Sequence, residues 1–226
     1  MSNVILKDKT KIEIDYKEIE KNLEFKKSNI IFKRIFDIVL SSIGILILFP
    51  IFVVIGVLIK VTSKGPIFFK QIRVGKEEKN FEILKFRTMV ENAEKIGMQI
   101  TVGSDPRVTS IGKILRKTKL DELPQLINVL KGDMSFIGPR PEVPKYVDMY
   151  TDEQKIILKI RPGITDLASI EYRDENELLS KVKNPEDYYI SVIMPNKIRL
   201  NLVYIKNMNV LEDIKIILKT ILTCFK

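Results

Sequence analysis

The chain has 226 residues, 45% of them apolar and 30% charged, a balance that supports a buried core rather than a disordered polyelectrolyte. It contains no histidine and one cysteine, Cys224, which excludes histidine-based acid–base and nucleophilic chemistry, a disulfide framework and a thiolate zinc site. Its formal charge of +9, from 38 basic and 29 acidic residues, points to an anionic partner: nucleic acid, an anionic bilayer or a phosphorylated small molecule.

Residues 1–28 form a polar extension of mixed charge in which Ile12, Tyr16, Ile19 and Leu23 fall on one face at helical spacing. Residues 38–59 then carry no charge at all. A straight helix of that length spans about 33 Å, close to a hydrocarbon core of ~30 Å. Lys33 and Arg34 precede this segment and Lys60, Lys64, Lys70 and Arg73 follow it, so the positive-inside rule would keep both flanks in the cytoplasm. Pro50 lies near the middle, where it removes a helical hydrogen bond and crowds the preceding turn. The expectation is a kinked, re-entrant helix over 29–64 rather than a span.

Two β-leaning runs follow, PIFFKQIRVG and FEILKFRTM, joined by the charged link KEEKN, and together they predict a hairpin. Residues 91–110 read as helix breaking into loop at Gly97, Gly103 and Pro106. Residues 111–130 read as helix, with Gly132 as its stop. Residues 151–160 read as a short helix capped by Thr151. Near the end, Ile214, Ile217, Leu218, Ile221, Leu222 and Phe225 share one face, suited either to the core or to a bilayer surface.

The chemistry concentrates in LRKTKLDELPQLINVLKGDMSFIGPRPEVP, residues 115–144. Pro124 is tolerated only in a first helical turn, so a helix begins near Asp121 and sets Asp121 and Glu122 at its N-terminus. Helix N-terminal N–H groups attract both carboxylate and phosphate. Arg116 lies just before the pair, and Arg140 is held in a Gly138-Pro139-Arg140-Pro141 turn. Carboxylates able to attack phosphorus or ligate magnesium, beside arginines able to grip phosphate oxygens, suit work on a pyrophosphate.

These runs, together with FKRIFD (32–37), KFRTM (85–89) and RPGIT (161–165), resemble the bacterial sugar transferase family, the small monotopic phosphoglycosyl transferases; the likeness covers about residues 30–226. Beyond the polar extension over 1–28, which lies outside the likeness, the resemblance implies an α+β, mainly helical fold: a re-entrant membrane helix over 29–64, and a cytoplasmic catalytic domain over 65–226 with a short β-hairpin and amphipathic interfacial helices. It implies transfer of a sugar 1-phosphate from a UDP-sugar to undecaprenyl phosphate with release of UMP, on the cytoplasmic side of the membrane, with Mg2+ as cofactor. Asp121 would be the covalent nucleophile and Glu122 would assist with proton or metal, the metal lying on both. Arg116, Arg140, Arg161 and Arg173, with Gly138, Pro139 and Pro141, would bind substrate, and Lys33 and Arg34 would meet lipid headgroups. The chain departs from the family pattern twice, with Phe49-Pro50 where a Ser-Pro pair is usual, and with Asp166-Leu-Ala-Ser169 where Gly-Trp-Ala-Gln is usual. The rival readings are a non-catalytic membrane adaptor and a tethered nucleic-acid binder; no nucleic-acid motif is present, and self-association is left open.

Overall fold

The computed structural model describes residues 15–25, 27–93 and 105–224. Helices α1 (Tyr16–Phe25) and α2 (Lys27–Thr62) lead into a hairpin of β1 (Phe68–Val74) and β2 (Asn80–Phe86). These strands pair antiparallel from Phe68 opposite Phe86 to Val74 opposite Asn80, so the predicted hairpin and its charged link are in place. The expected loop over 91–110 lies largely outside the described residues.

The helix expected over 111–130 is two pieces. Helix α3 (Ser110–Thr118), capped by Thr109, ends at Lys119, whose φ of 59° turns the chain left-handed. A 3-10 turn, Leu120–Glu122, follows, and α4 (Gln125–Lys131) starts behind Pro124 and stops at Gly132, φ 98°. A lysine in that conformation gives no glycine-like punctuation and the 3.6-residue periodicity runs on across it, so only Pro124 marks the break; the α-helix starts at Gln125 and not near Asp121, and Asp121 and Glu122 lie in the 3-10 turn before it.

Next come β3 (Ser135–Ile137), α5 (Pro144–Val147), a 3-10 helix at Gln154–Lys159, and β4 (Gly163–Thr165), which pairs parallel with β3. Thr151 and Gln154 cap each other at the start of that 3-10 helix, so the cap holds where the sequence placed it although the turn is tighter than α. The chain finishes with α6 (Leu167–Glu171), α7 (Glu175–Ser180), α8 (Pro185–Tyr188), a π-turn, α9 (Met194–Asn207) and α10 (Val210–Cys224).

The largest core joins α1, β3, α5, α9 and α10 through residues such as Ile19, Ile137, Val147, Leu202, Ile205 and Ile216. The polar extension therefore contributes Ile19 and Leu23 to this core, and Glu18 and Glu20 add ion pairs to Lys206 and Lys159. Ile12 lies outside the described residues. Helix α10 buries Asp213 and Ile216 and turns Leu218, Ile221 and Leu222 outward, so its apolar stripe faces away from the core. Those outward side chains, flanked by Lys215 and Lys219, have the pattern of an interfacial helix.

Helix α2 is helical on both sides of Pro50. Most of its apolar surface is open, with Leu46 and Val61 at 78% and 80% exposure, which excludes a buried core helix. Both of its ends nevertheless pack on the same domain. Near its start, Asp37 accepts hydrogen bonds from Ser135 Oγ and Phe136 N, both at 3.1 Å. Near its end, Ile55 and Ile59 pack with Phe86 and Leu115, while Arg87 donates to the carbonyls of Ser63 and Lys64.

Candidate active site

The left-handed turn at Lys119 swings the chain back over the hairpin and places Asp121 and Glu122 above β2. Asn128, one turn into α4, fixes that seat: Leu84 N donates to its Oδ1 (2.9 Å) and its Nδ2 donates to Glu82 O (2.7 Å). Gripping the backbone on either side of Ile83 sets the strand's register against α4, and Lys85 then falls beside the dyad. Lys85 Nζ donates to Glu122 Oε1 at 2.8 Å.

Glu122 also receives Arg140, whose Nη1 lies 3.3 Å from Oε2 and whose Nη2 pairs with Oε1. Burial alone would push the Glu122 carboxyl up, but Arg140 and Lys85 outweigh it and hold the group well below the usual carboxylate range. Arg140 is raised in turn by Glu122, and Lys85 is lowered, first by burial and then by Arg140. Asp121 is the opposite case. It is buried, its Oδ1 has no hydrogen-bond partner, and desolvation raises its pKa against the pull of Lys85. The dyad thus divides into a satisfied, neutralised carboxylate and a desolvated one with an oxygen to spare.

The Arg140 turn is built by close backbone approach. Strands β3 and β4 come so near at Gly138 and Gly163 that a Cβ on either would fall 2.4 or 2.1 Å from facing backbone. Gly163 N donates to Pro139 O (3.0 Å), Arg73 Nη1 to Pro141 O (2.9 Å), and Arg140 N to Asp166 Oδ2 (3.0 Å). Asp166 is fully buried and also caps α6 through Ser169 N, so the chain's departure from the family pattern supports the arginine turn.

Asp121, Glu122, Arg116, Arg140 and Arg173 all line one open groove of about 1620 Å3. Three chemistries meet in it. Leu40, Ile43 and Leu48 of α2, with Leu126, give an apolar wall; Arg107, Arg116, Lys117 and Lys119 give a basic one; Ser169, Tyr172, Arg173 and Lys197 give a mixed polar one. Thr88 Oγ1 accepts from Arg116 Nε at 2.9 Å and aims it into the groove.

Several expected residues have other duties. Arg161, expected to bind substrate, is outside this lining and donates to Gly132 O (2.9 Å), which braces the end of α4. Gly138, Pro139 and Pro141 shape the turn without lining the groove. Lys33 pairs with Asp213, and Arg34 donates to Val129 O and Leu130 O, which gives both cations protein partners where headgroups were expected. The sequence reading missed Lys85 and Asp166; their signals, the KFRTM run and the altered segment after RPGIT, lack meaning until strand register and loop contacts are known.

Among the described residues no group of three or more His, Cys, Asp or Glu side chains gathers in a metal-holding cluster. Magnesium commonly takes one or two carboxylates and completes its shell with phosphate and water. Asp121 fits that role with its unpartnered oxygen, whereas the oxygens of Glu122 are engaged by two cations.

The bacterial sugar transferase family model matches residues 28–226. A UDP-N-acetylgalactosamine-undecaprenyl-phosphate N-acetylgalactosaminephosphotransferase of Aeromonas hydrophila is 40% identical over 84% of this chain and 43% of its own length. A UDP-glucose:undecaprenyl-phosphate glucose-1-phosphate transferase of Klebsiella pneumoniae is 41% identical over 87% of this chain and 41% of its own. The chain therefore spans less than half the length of these two relatives. The exopolysaccharide production protein ExoY of Sinorhizobium fredii is nearer in size, 32% identical over 84% of this chain and 83% of its own length. With its dyad, arginine turn and open apolar helix assembled in one groove, the chain belongs to the bacterial sugar transferase family.

Proposed function

We propose that this protein transfers a sugar 1-phosphate from a UDP-sugar to undecaprenyl phosphate, releases UMP, and works through a phosphosugar–aspartyl intermediate on Asp121. The observation that carries this reading is the pairing of a buried, unpartnered Asp121 oxygen with a neutralised Glu122 in a groove one wall of which is the exposed apolar helix α2. The names of the relatives support the donor and acceptor classes.

In the first step an Asp121 carboxylate oxygen attacks the phosphorus that bears the sugar. The bond from that phosphorus to the bridging oxygen breaks, and UMP leaves with the electron pair. In the second step a phosphate oxygen of undecaprenyl phosphate attacks the same phosphorus and displaces the carboxylate, giving the diphosphate-linked sugar and free enzyme. Desolvation makes Asp121 a stronger nucleophile once ionised. Arg140 and Arg116 are placed to meet phosphate charge, Arg140 exchanging part of its hold on Glu122 for the donor's oxygens. Lys85, with its lowered pKa, is placed to hold or release a proton at Glu122. Magnesium on Asp121 would neutralise the donor's diphosphate charge when bound.

The topology we propose is re-entrant and monotopic, with the groove on the cytoplasmic side. Contacts from both ends of α2 to one domain support it, since a span would carry one end to the opposite face. The outward apolar stripe of α10 supports a shallow seat in the same leaflet.

The test is a panel of UDP-sugars with undecaprenyl phosphate and magnesium, read by UMP release. At least one donor should give acceptor-dependent UMP. Silence across the panel from folded, membrane-bound protein would reject the reading in favour of a non-catalytic adaptor.

A further inference from the structure

Helix α4 connects the chemistry to the membrane helix. Its front is the turn that carries Asp121 and Glu122, and its rear ends in carbonyls that have no partner within the helix. Gly132 N reaches back to Asn128 O and Val129 O. Arg34 of α2 shares the second of these and takes the one after it: its Nη1 lies 2.6 Å from Val129 O and its Nη2 lies 2.9 Å from Leu130 O. A guanidinium at this end also meets the negative pole of the helix. Further along α2, Leu126 packs over Gly44, where an added Cβ would meet it at 3.4 Å, in ordinary van der Waals contact. On its other side α4 is tied to β2 by Asn128. The catalytic helix is therefore clasped between the hairpin and the membrane helix, with Arg34 as a two-pronged tie at its rear.

We propose that Arg34 is a positioning residue: its fork on the α4 carbonyls fixes the Asp121 turn relative to the membrane helix, so that the seat of α2 and the aim of the nucleophile are set together. This rests on the reading of Asp121 as nucleophile. Lysine preserves the charge, and with it any attraction to headgroups, but cannot span two carbonyls with a rigid planar fork.

The experiment is a rapid-quench measurement on vesicle-bound parent and Arg34→Lys, each mixed with labelled UDP-sugar without acceptor. The amplitude of protein-bound label reports the fraction of competent chains, and the rate reports the chemical step. Arg34→Lys should keep the parent amplitude and lose about tenfold in rate, the scale on which a small misplacement of a reacting group acts. The same factor should appear in phosphatidylcholine vesicles and in vesicles containing phosphatidylglycerol. A parent-like rate overturns the proposal. So does a lower amplitude at the parent rate, which marks a purely structural role, or a loss confined to anionic vesicles, which marks a headgroup role. If Arg34→Lys does not fold, Arg34→Gln, which retains one planar donor, is read by the same two numbers. A parent that releases acceptor-dependent UMP without any bound label refutes the covalent reading instead. Arg34 is then judged on turnover per folded chain, where a tenfold fall at unchanged donor KM upholds it and an unchanged kcat overturns it.

Discussion

Replacing Glu122 by glutamine should destabilise the fold through the cations it strands. The carboxylate is held by Lys85 at 2.8 Å and by both terminal nitrogens of Arg140. Removing one member of a buried ion pair costs about 3–5 kcal/mol, because the remaining charge stays desolvated. The lower edge applies here: the Arg140 side chain is 32% exposed and can turn toward water, while Lys85, at 19%, has less freedom to do so. A loss of about 3 kcal/mol corresponds to a fall in Tm of roughly 6–12 °C in a domain of this size. The assay is thermal unfolding by circular dichroism in lipid nanodiscs with EDTA and no donor. Adding Lys85→Met to Glu122→Gln should recover part of the loss, since it removes a stranded cation. The pH dependence has a fixed sign. Because the folded pKa of Glu122 is depressed by Arg140 and Lys85 beyond the opposing effect of burial, its stabilisation is complete above the ordinary carboxylate pKa. It is lost as pH falls through the folded value, so parent and variant should converge only in strong acid. An E122Q protein that melts within a degree or so of the parent, or a double variant with no recovery, would refute the network as the source of stability.

Asp121→Asn should abolish turnover by roughly three orders of magnitude or more while leaving Tm unchanged or higher. Desolvation raises the Asp121 pKa, so ionisation costs the folded state stability as pH rises, and asparagine removes that cost. Arg140→Lys should lower kcat/KM for the donor about tenfold or more despite the retained charge, since one ammonium cannot copy a fork on phosphate oxygens; steady-state kinetics with unchanged values would remove Arg140 from donor binding and leave it only its pairing with Glu122. Single cysteines at Ser28 and Ser63 in a Cys224→Ser background should both resist external labelling in intact cells, and Pro50→Ala should make one of them reactive. External labelling of either site without the proline change would establish a span.

What the sequence disclosed was what is local. The uncharged run before Lys60, the hairpin and its KEEKN link, and the stop at Gly132 each carry their signal within a few residues. The outward stripe of α10 was readable as a face, yet its direction was not, because the core takes Ile216 together with a charged residue, Asp213, which lies beside Tyr204 and Lys33. The dyad and Arg140 were legible because Pro124 and the Gly-Pro-Arg-Pro turn constrain their own backbone. Lys85 was not, since a strand residue gains its role from register and from a helix far along the chain. Arg161 shows the converse: an arginine that braces a carbonyl and one that lines the groove look alike in sequence. The docking of α1 through Ile19 and Leu23 rests on a short apolar face whose partners, among them α9, lie at the other end of the chain.

A covalent step on Asp121 is checked by intact mass spectrometry of the protein incubated with its UDP-sugar and magnesium, without acceptor. The parent should gain the mass of one phosphosugar, Asp121→Asn should not, and the adduct should discharge when undecaprenyl phosphate is added. An unmodified mass throughout, with UMP released only when donor and acceptor are both present, would contradict it and assign the transfer to a single displacement.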